Sequence, residues 1–188
     1  MRITGRLTPE QFWARMTAME DDVRAQAHLL PLYGLTDWPG ERILGEWGHM
    51  DGRLTTAGLL HGEFDNGDGA EGTRVQVMVD TRAPREVVQN LRLTGASPFD
   101  KEAALAARQQ AGSPPTGTVT IPVNGDSEVF DHWVDGSTWY AARQHHGHAL
   151  VIEARNVRPD ELALVTVDDI EPYLAGRRAW LRHKRGED

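Results

Sequence analysis

The sequence predicts an α+β domain built on a curved antiparallel sheet of about six strands, with helices on one face. Three observations predict it: a capped amphipathic pattern opens the chain, two apolar runs flank an acidic glycine-rich segment, and three hairpin dipeptides recur further on. The resulting order is helix, hairpin, helices, four-strand meander and helix, which is typical of antiparallel sheets with segregated helices. We expect the hairpin over 54–81, the meander over 117–155, and a single domain over 1–188.

The first element is an amphipathic helix. Thr8 is a suitable N-cap, Pro9 suits the first helical position, and Gln11 completes a capping box. Apolar residues then recur at spacings of three and four, so they share one face, which we expect to pack on the core. They are Phe12, Met16, Met19, Val23, Ala27 and Leu30.

The segment 31–52 has an irregular pattern broken by Trp38-Pro39-Gly40, and we interpret it as a loop with a short helix. The apolar runs 54–64 and 74–81 then predict two strands, joined by the loop 65–72.

Helical patterns follow over 84–93 and 100–111. The glycine- and proline-rich segment 111–117 that comes next is expected to be a linker inside the domain, and the alternative is a boundary between two domains.

Hairpin dipeptides recur eleven residues apart in the region 117–155 and predict a four-strand antiparallel meander. If each dipeptide is a two-residue turn, the register of all four strands follows. The dipeptides are Asn124-Gly125, Asp135-Gly136 and His146-Gly147.

This register places one set of side chains on the buried face of the meander, with Glu128 and Arg143 forming a cross-strand ion pair among them. The opposite face is half polar and includes Tyr140 and Glu153. The main buried row is Val119, Phe130, Ala141 and Ile152.

Beyond the meander, 162–167 predicts a short edge strand. Asp168 or Asp169 then caps a last helix, which continues to Leu181 in the apolar pattern. Its basic end complements the helix dipole, which we favour over a nucleic-acid contact.

Composition excludes several classes of function. The absence of cysteine removes disulfides, cysteine zinc sites and thiol catalysis, and the net charge of −8 makes nucleic-acid binding unlikely. No apolar stretch is long enough for a signal peptide or a membrane span, so we expect a cytoplasmic protein without a membrane partner. The oligomeric state is left open.

The loop 65–72 contains two motif-like patterns, which we interpret as an ordinary hairpin loop. Gly67-x-Gly69-x-x-Gly72 matches a dinucleotide fingerprint, but a strand and not a helix is expected after it. The acids of the same loop do not have calcium-loop spacing. No cofactor is therefore predicted.

One set of residues has the chemistry of a metal site. The predicted register places Asp126, His145 and His148 in one row at the end of the meander, and two imidazoles with a carboxylate suit a divalent transition metal. The alternative is that the histidines flank a solvent-exposed turn.

A ligand pocket is the second candidate site. Trp38 and Trp47 lie in a predicted loop, where they either rim a pocket or plug the end of the sheet. His49, His132 and Trp139 complete this candidate set.

The sequence favours a non-enzymatic accessory or binding domain for a small ligand or a protein partner, because no nucleophile motif or cofactor loop is present. The alternative is a small hydrolase or isomerase that uses His and Asp as general acid–base groups, or the weak metal site. Convergence of the candidate histidines on one pocket would favour the enzyme.

Overall fold

The computed structural model describes residues 7–62, 72–93 and 101–187, and within them nine strands form one curled sheet with four α-helices. The helices are α1 (Pro9–Gln26), α2 (Pro84–Leu93), α3 (Lys101–Ala111) and α4 (Glu171–Arg185). The strands are β1 (Tyr33–Leu35), β2 (Glu41–Met50), β3 (Arg53–Gly62), β4 (Arg74–Asp80), β5 (Gly117–Val123), β6 (Asp126–Asp135), β7 (Thr138–His145), β8 (His148–Arg155) and β9 (Leu164–Thr166).

The sheet is mixed and runs in the order β1-β9-β5-β6-β7-β8-β4-β3-β2. Every neighbouring pair is antiparallel except β5 and β9, which pair in parallel through Val123 and Leu164. The predicted hairpin and meander are confirmed as β3–β4 and β5–β8. The strand predicted over 162–167 is present as β9, but it lies between β1 and β5 and not at an edge.

The prediction for 31–52 was wrong, because this segment forms β1 and the ten-residue strand β2. Two register shifts interrupt β2, between Leu44 and Glu46 and between Gly48 and His49. Such bulges insert an extra residue and break the two-residue alternation by which a strand is recognised in a sequence. The sheet therefore has nine strands and not about six.

The capping box of α1 is confirmed. Thr8 Oγ1 accepts from the Gln11 backbone at 3.3 Å, and the Thr8 backbone donates to Gln11 Oε1 at 3.0 Å. Met16 and Val23 are buried on the inner face of the helix, as predicted. At the other end of the chain, Asp169 Oδ1 accepts from the Glu171 backbone at 2.9 Å where α4 begins.

The register of the meander is confirmed at its first and third turns and wrong at the second. Both turn residues have positive φ at the first and third turns, whereas at the second only Gly136 does. Glycine alone at the first central position is typical of a type II′ turn, so Gly136 and Ser137 are the turn residues and Asp135 pairs with Thr138. The resulting two-residue shift keeps each side chain on its predicted face, and Phe130 and Ile152 are fully buried.

Helices cover both faces of the sheet, which corrects the prediction that they lie on one face. On the inner face, α1 and α4 contribute Val23 and Leu174 to a core that includes Phe130. On the outer face, Val87 and Val88 of α2 pack on a second core. That outer core also contains Met78, Trp133, Tyr140, Ala142, Ala149 and Val151.

Interactions from elsewhere in the chain tie down both edges of the open sheet. At the β2 edge, Arg177 of α4 donates to the carbonyls of Leu44 at 2.8 Å and Gly45 at 3.1 Å. At the other edge, the Leu35 backbone of β1 donates to His61 Nε2 of β3 at 3.3 Å, across the inside of the curl. Covered edges are protected from pairing with another chain.

No helix in the described part of the chain is long and apolar enough to cross a membrane.

Candidate ligand cleft

A polar cleft of about 470 Å³ opens on the outer face of the sheet, beside α2. Residues from five strands and from α2 line it, so it is assembled from segments distant in the sequence. The strands β2, β3, β4, β7 and β8 supply its floor.

Two rows of paired residues build the floor. In the first row Gln76 lies opposite Leu60 on one side and Glu153 on the other, and Glu153 lies opposite Tyr140. These side chains share the outer face because successive residues of a strand point to opposite faces. The first row therefore supplies three polar side chains to the cleft, those of Gln76, Tyr140 and Glu153.

The second row holds two guanidinium groups on adjacent strands. Arg74 lies opposite Arg155, which in turn lies opposite Thr138. Directly opposed like charges are unfavourable. The pairing is offset because Arg74 Nη2 donates to Glu153 Oε1 at 2.8 Å, while Arg155 Nε donates to Thr138 Oγ1 at 3.3 Å.

A buried ion pair fixes the wall formed by α2. Arg92 donates to both carboxylate oxygens of Asp135, at 2.7 and 2.8 Å, and its third nitrogen reaches Ser113 Oγ at 3.1 Å. The guanidinium is almost fully buried. Bidentate pairs of this kind have one strongly preferred geometry, so this wall of the cleft is preformed.

Three polar groups of the cleft have no hydrogen-bond partner among residues 7–62, 72–93 and 101–187. They are the Gln76 amide nitrogen, the Tyr140 hydroxyl and the Glu46 carboxylate. Gln76 is only 5% exposed. An unpaired polar group that is buried, as the Gln76 amide is, is rare in folded proteins and calls for an explanation, whereas Glu46 is exposed.

The cleft perturbs the titration of two of these groups. Partial burial raises the pKa of Glu46 and the nearby Glu153 carboxylate raises it further, while Arg74 and Arg82 act in the opposite direction and offset part of the shift. Burial, followed by repulsion from Glu153 and Asp135, raises the pKa of Tyr140 to about 12. The Tyr140 hydroxyl is therefore a protonated donor at neutral pH.

The sequence-predicted pocket residues fall into two groups, and none lines this cleft. The first group surrounds β2: Trp38 is half-buried against the inner core, and Trp47 packs under the Arg177 guanidinium, 4.3 Å from its ring centroid. His49 Nε2 lies 2.7 Å from an oxygen of Asp22.

The second group lies on β6 and β7, where His132 and Trp139 meet edge to face at 5.6 Å. Trp139 Nε1 donates to the Val157 carbonyl at 2.6 Å. Strands β8, β4 and β3 separate β7 from β2 in the sheet. The ligand-pocket role of these residues stays a prediction, and the contacts seen are those of core packing.

The register from which the metal row was predicted differs at one turn. The prediction placed Asp126 opposite His145 through the second turn, where the register is shifted by two residues, whereas the pairings of Asp126 with Val123 and of His145 with His148 are present. The metal role of these residues stays a prediction. The His145 ring packs edge to face on Tyr33 at 5.4 Å. No group of three or more His, Asp or Glu side chains in the described ranges is arranged to hold a metal ion.

Two further clefts each contain one histidine. His148 lines a cleft of about 330 Å³, and His28 lines one of about 470 Å³ near the start of α4. His61 lies in the inner core, fully enclosed. The candidate histidines therefore do not converge on any of the three clefts described.

Sequence reasoning placed Tyr140 and Glu153 on a half-polar face but did not identify the cleft. A further signal was present in β4, where Arg74 and Gln76 alternate with buried valines. This alternation indicates that β4 has a polar outer face and an apolar inner face. No protein-family model, curated protein or solved structure matches the chain.

Proposed function

We propose that this chain is a non-enzymatic binding domain that holds a small polar ligand in the outer-face cleft. The observation that carries the proposal is the unpaired Gln76 amide nitrogen, buried in the floor of a cleft that the Tyr140 hydroxyl also lines. Leaving such a group unpaired costs about 1–3 kcal/mol. A bound acceptor would offset that cost.

The size and stiffness of the cleft support the same proposal. Its volume of about 470 Å³ is within the range of small-molecule sites, which mostly exist before the ligand binds. The Arg92–Asp135 and Arg74–Glu153 pairs hold two of its walls without a ligand. A preformed site loses less conformational entropy on binding.

The test is a thermal-shift screen of small polar metabolites, followed by calorimetry on the compounds that stabilise the protein. Gln76→Leu and Tyr140→Phe should each weaken binding by about tenfold, since each removes one hydrogen bond to the ligand. Tyr33→Phe is the matched control, because it removes a hydroxyl from the inner face. A screen without hits, or hits that bind both cleft variants at full affinity, would contradict the proposal.

One observation favours an enzyme as the second candidate. A carboxyl group whose pKa is raised inside a cleft, as for Glu46, is a common feature of general acid–base catalysts. Incubating each hit with the protein and following its mass would reveal turnover. Conversion that is lost in Glu46→Gln would replace the binding proposal with this one.

A further inference from the structure

The unpaired groups of the cleft differ in the kind of partner that each requires. Every guanidinium that lines the cleft already donates to an acceptor: Arg74 to Glu153, Arg92 to Asp135 and Arg155 to Thr138. The Glu46 carboxylate has no donor within the described residues. Within the described residues, therefore, no group donates a hydrogen bond to Glu46 and none accepts from the Gln76 amide, although the charges of Arg74 and Arg82 act on Glu46.

Resting on the function proposed above, we infer that the ligand carries a primary ammonium group with a carbonyl oxygen a few atoms away. This is the α-amino carbonyl unit shared by free amino acids and peptide amino termini. The ammonium group lies against Glu46, and the carbonyl accepts from the Gln76 amide.

The backbone of β2 aims Glu46 into the cleft. The register shift between Leu44 and Glu46 places both Gly45 and Glu46 on the cleft wall. Bulges commonly redirect a side chain at functional sites. Gly45 has no side chain to fill this wall, and a Cβ there would collide with the Leu60 side chain at 2.6 Å.

The two carboxylates of the cleft favour a cation beside Glu46, although three arginines also line the cleft. Glu153 gives one carboxylate oxygen to Arg74, and its charge acts on Glu46 nearby. Arg74 offsets part of the repulsion between the two carboxylates, and a ligand cation beside Glu46 would offset more of it. A primary ammonium group has three donors, enough for both carboxylates.

The remaining walls fit an aliphatic side chain. Leu60 and Leu91 supply apolar surface to an otherwise polar cleft. Ligand sites combine apolar walls with a few polar groups that fix orientation. An amino acid with a branched aliphatic side chain satisfies both kinds of surface.

The experiment is calorimetric titration of the full chain with a matched series. Leucine and leucinamide contain both groups; N-acetylleucine lacks the cation, and 3-methylbutylamine lacks the carbonyl. We expect the first two to bind at least about tenfold more tightly than the last two. Leucylglycine distinguishes the sources: tighter binding than leucine assigns the site to a peptide amino terminus, and weaker binding assigns it to a free amino acid.

Glu46→Gln should weaken leucinamide binding by at least about tenfold. Glu41→Gln, which removes an exposed carboxylate at the start of the same strand, should leave it unchanged. Equal affinity for N-acetylleucine and leucinamide, or equal affinity of Glu46→Gln and wild type, would overturn the inference. If other compounds bind and depend on Gln76, the proposed binding function stands and only this ligand class fails.

Discussion

The two faces of the sheet both contain unpaired polar atoms, but in different surroundings. On the inner face, Nδ1 of His61 has no partner in the described part of the chain and is enclosed by core residues. On the outer face, the unpaired Gln76 amide lines a cleft. An enclosed group can act only on the fold, whereas a group beside a cleft can also act on a ligand. Whether a ligand can reach a buried polar group therefore distinguishes a group that can bind a ligand from one that affects only the fold.

The largest expected effect comes from the packing of the inner face. Phe130→Ala should lower the free energy of unfolding by about 3–5 kcal/mol, because it opens a cavity in the inner core. Val129→Ala, the next residue on β6, is the matched control, since Val129 is 56% exposed on the outer face. It should change stability by about 0.5 kcal/mol or less. Urea unfolding measures both variants, and equal losses of unfolding free energy would contradict the assignment of Phe130 and Val129 to opposite faces.

The enclosed histidine should make the fold sensitive to acid. Burial, and secondarily Arg42, lowers the pKa of His61 from 6.5 to about 4. The unfolded chain therefore binds this proton more readily than the folded one, and stability falls as the pH drops from about 6.5 towards 4. The loss from His61 alone is roughly 2 kcal/mol at about pH 5.

This pH dependence is measured by urea unfolding of the wild type and His61→Gln at neutral pH and at about pH 5. Burial also lowers the pKa values of His132 and His145, so part of the acid sensitivity should remain in the variant. The same loss of stability on acidification in both proteins would show that His61 does not contribute.

The smallest expected effect distinguishes two glutamines. Gln76→Leu should leave stability unchanged or raise it by up to about 1 kcal/mol, because the variant no longer buries an unpaired amide. Gln26→Leu should lower stability by about 1 kcal/mol, since Gln26 Oε1 accepts from the Leu54 backbone at 2.8 Å. Thermal unfolding measures both, and a clear loss in Gln76→Leu would mean that this amide is structural.

The elements predicted from the sequence are those with strong local signals. The capping box at Thr8 and Gln11 acts within one helical turn, and the turns at Asn124-Gly125 and His146-Gly147 contain residues that tolerate positive φ. The turn at Asp135-Gly136 has the same kind of dipeptide but a different geometry. Because an Asp-Gly dipeptide is compatible with two turn types, the local sequence did not determine the register of the strands at this turn.

The cleft was not predictable in the same way. Glu46, Gln76, Tyr140 and Glu153 come from four strands, and only the strand order β2-β3-β4-β8-β7 brings them to one surface. The bulge that directs Glu46 outward also interrupts the alternation of side chains in β2, and for this reason the sequence analysis interpreted β2 as a loop. The aromatic residues predicted to line a pocket, Trp47 and Trp139 among them, pack in and against the inner core, and their pocket role stays a prediction.

By itself, the sequence determined the capped start of α1, the first and third turns of the meander, and which residues of the meander face the core. Capping, turn conformation and the alternation of strand side chains act over a few residues, so they can be recognised along the chain. The tertiary structure decided that α2 covers the outer face while α1 and α4 cover the inner one, and that an open cleft remains beside α2. Those outcomes depend on the order of the strands and the curl of the sheet, which are set by contacts between segments far apart in the sequence.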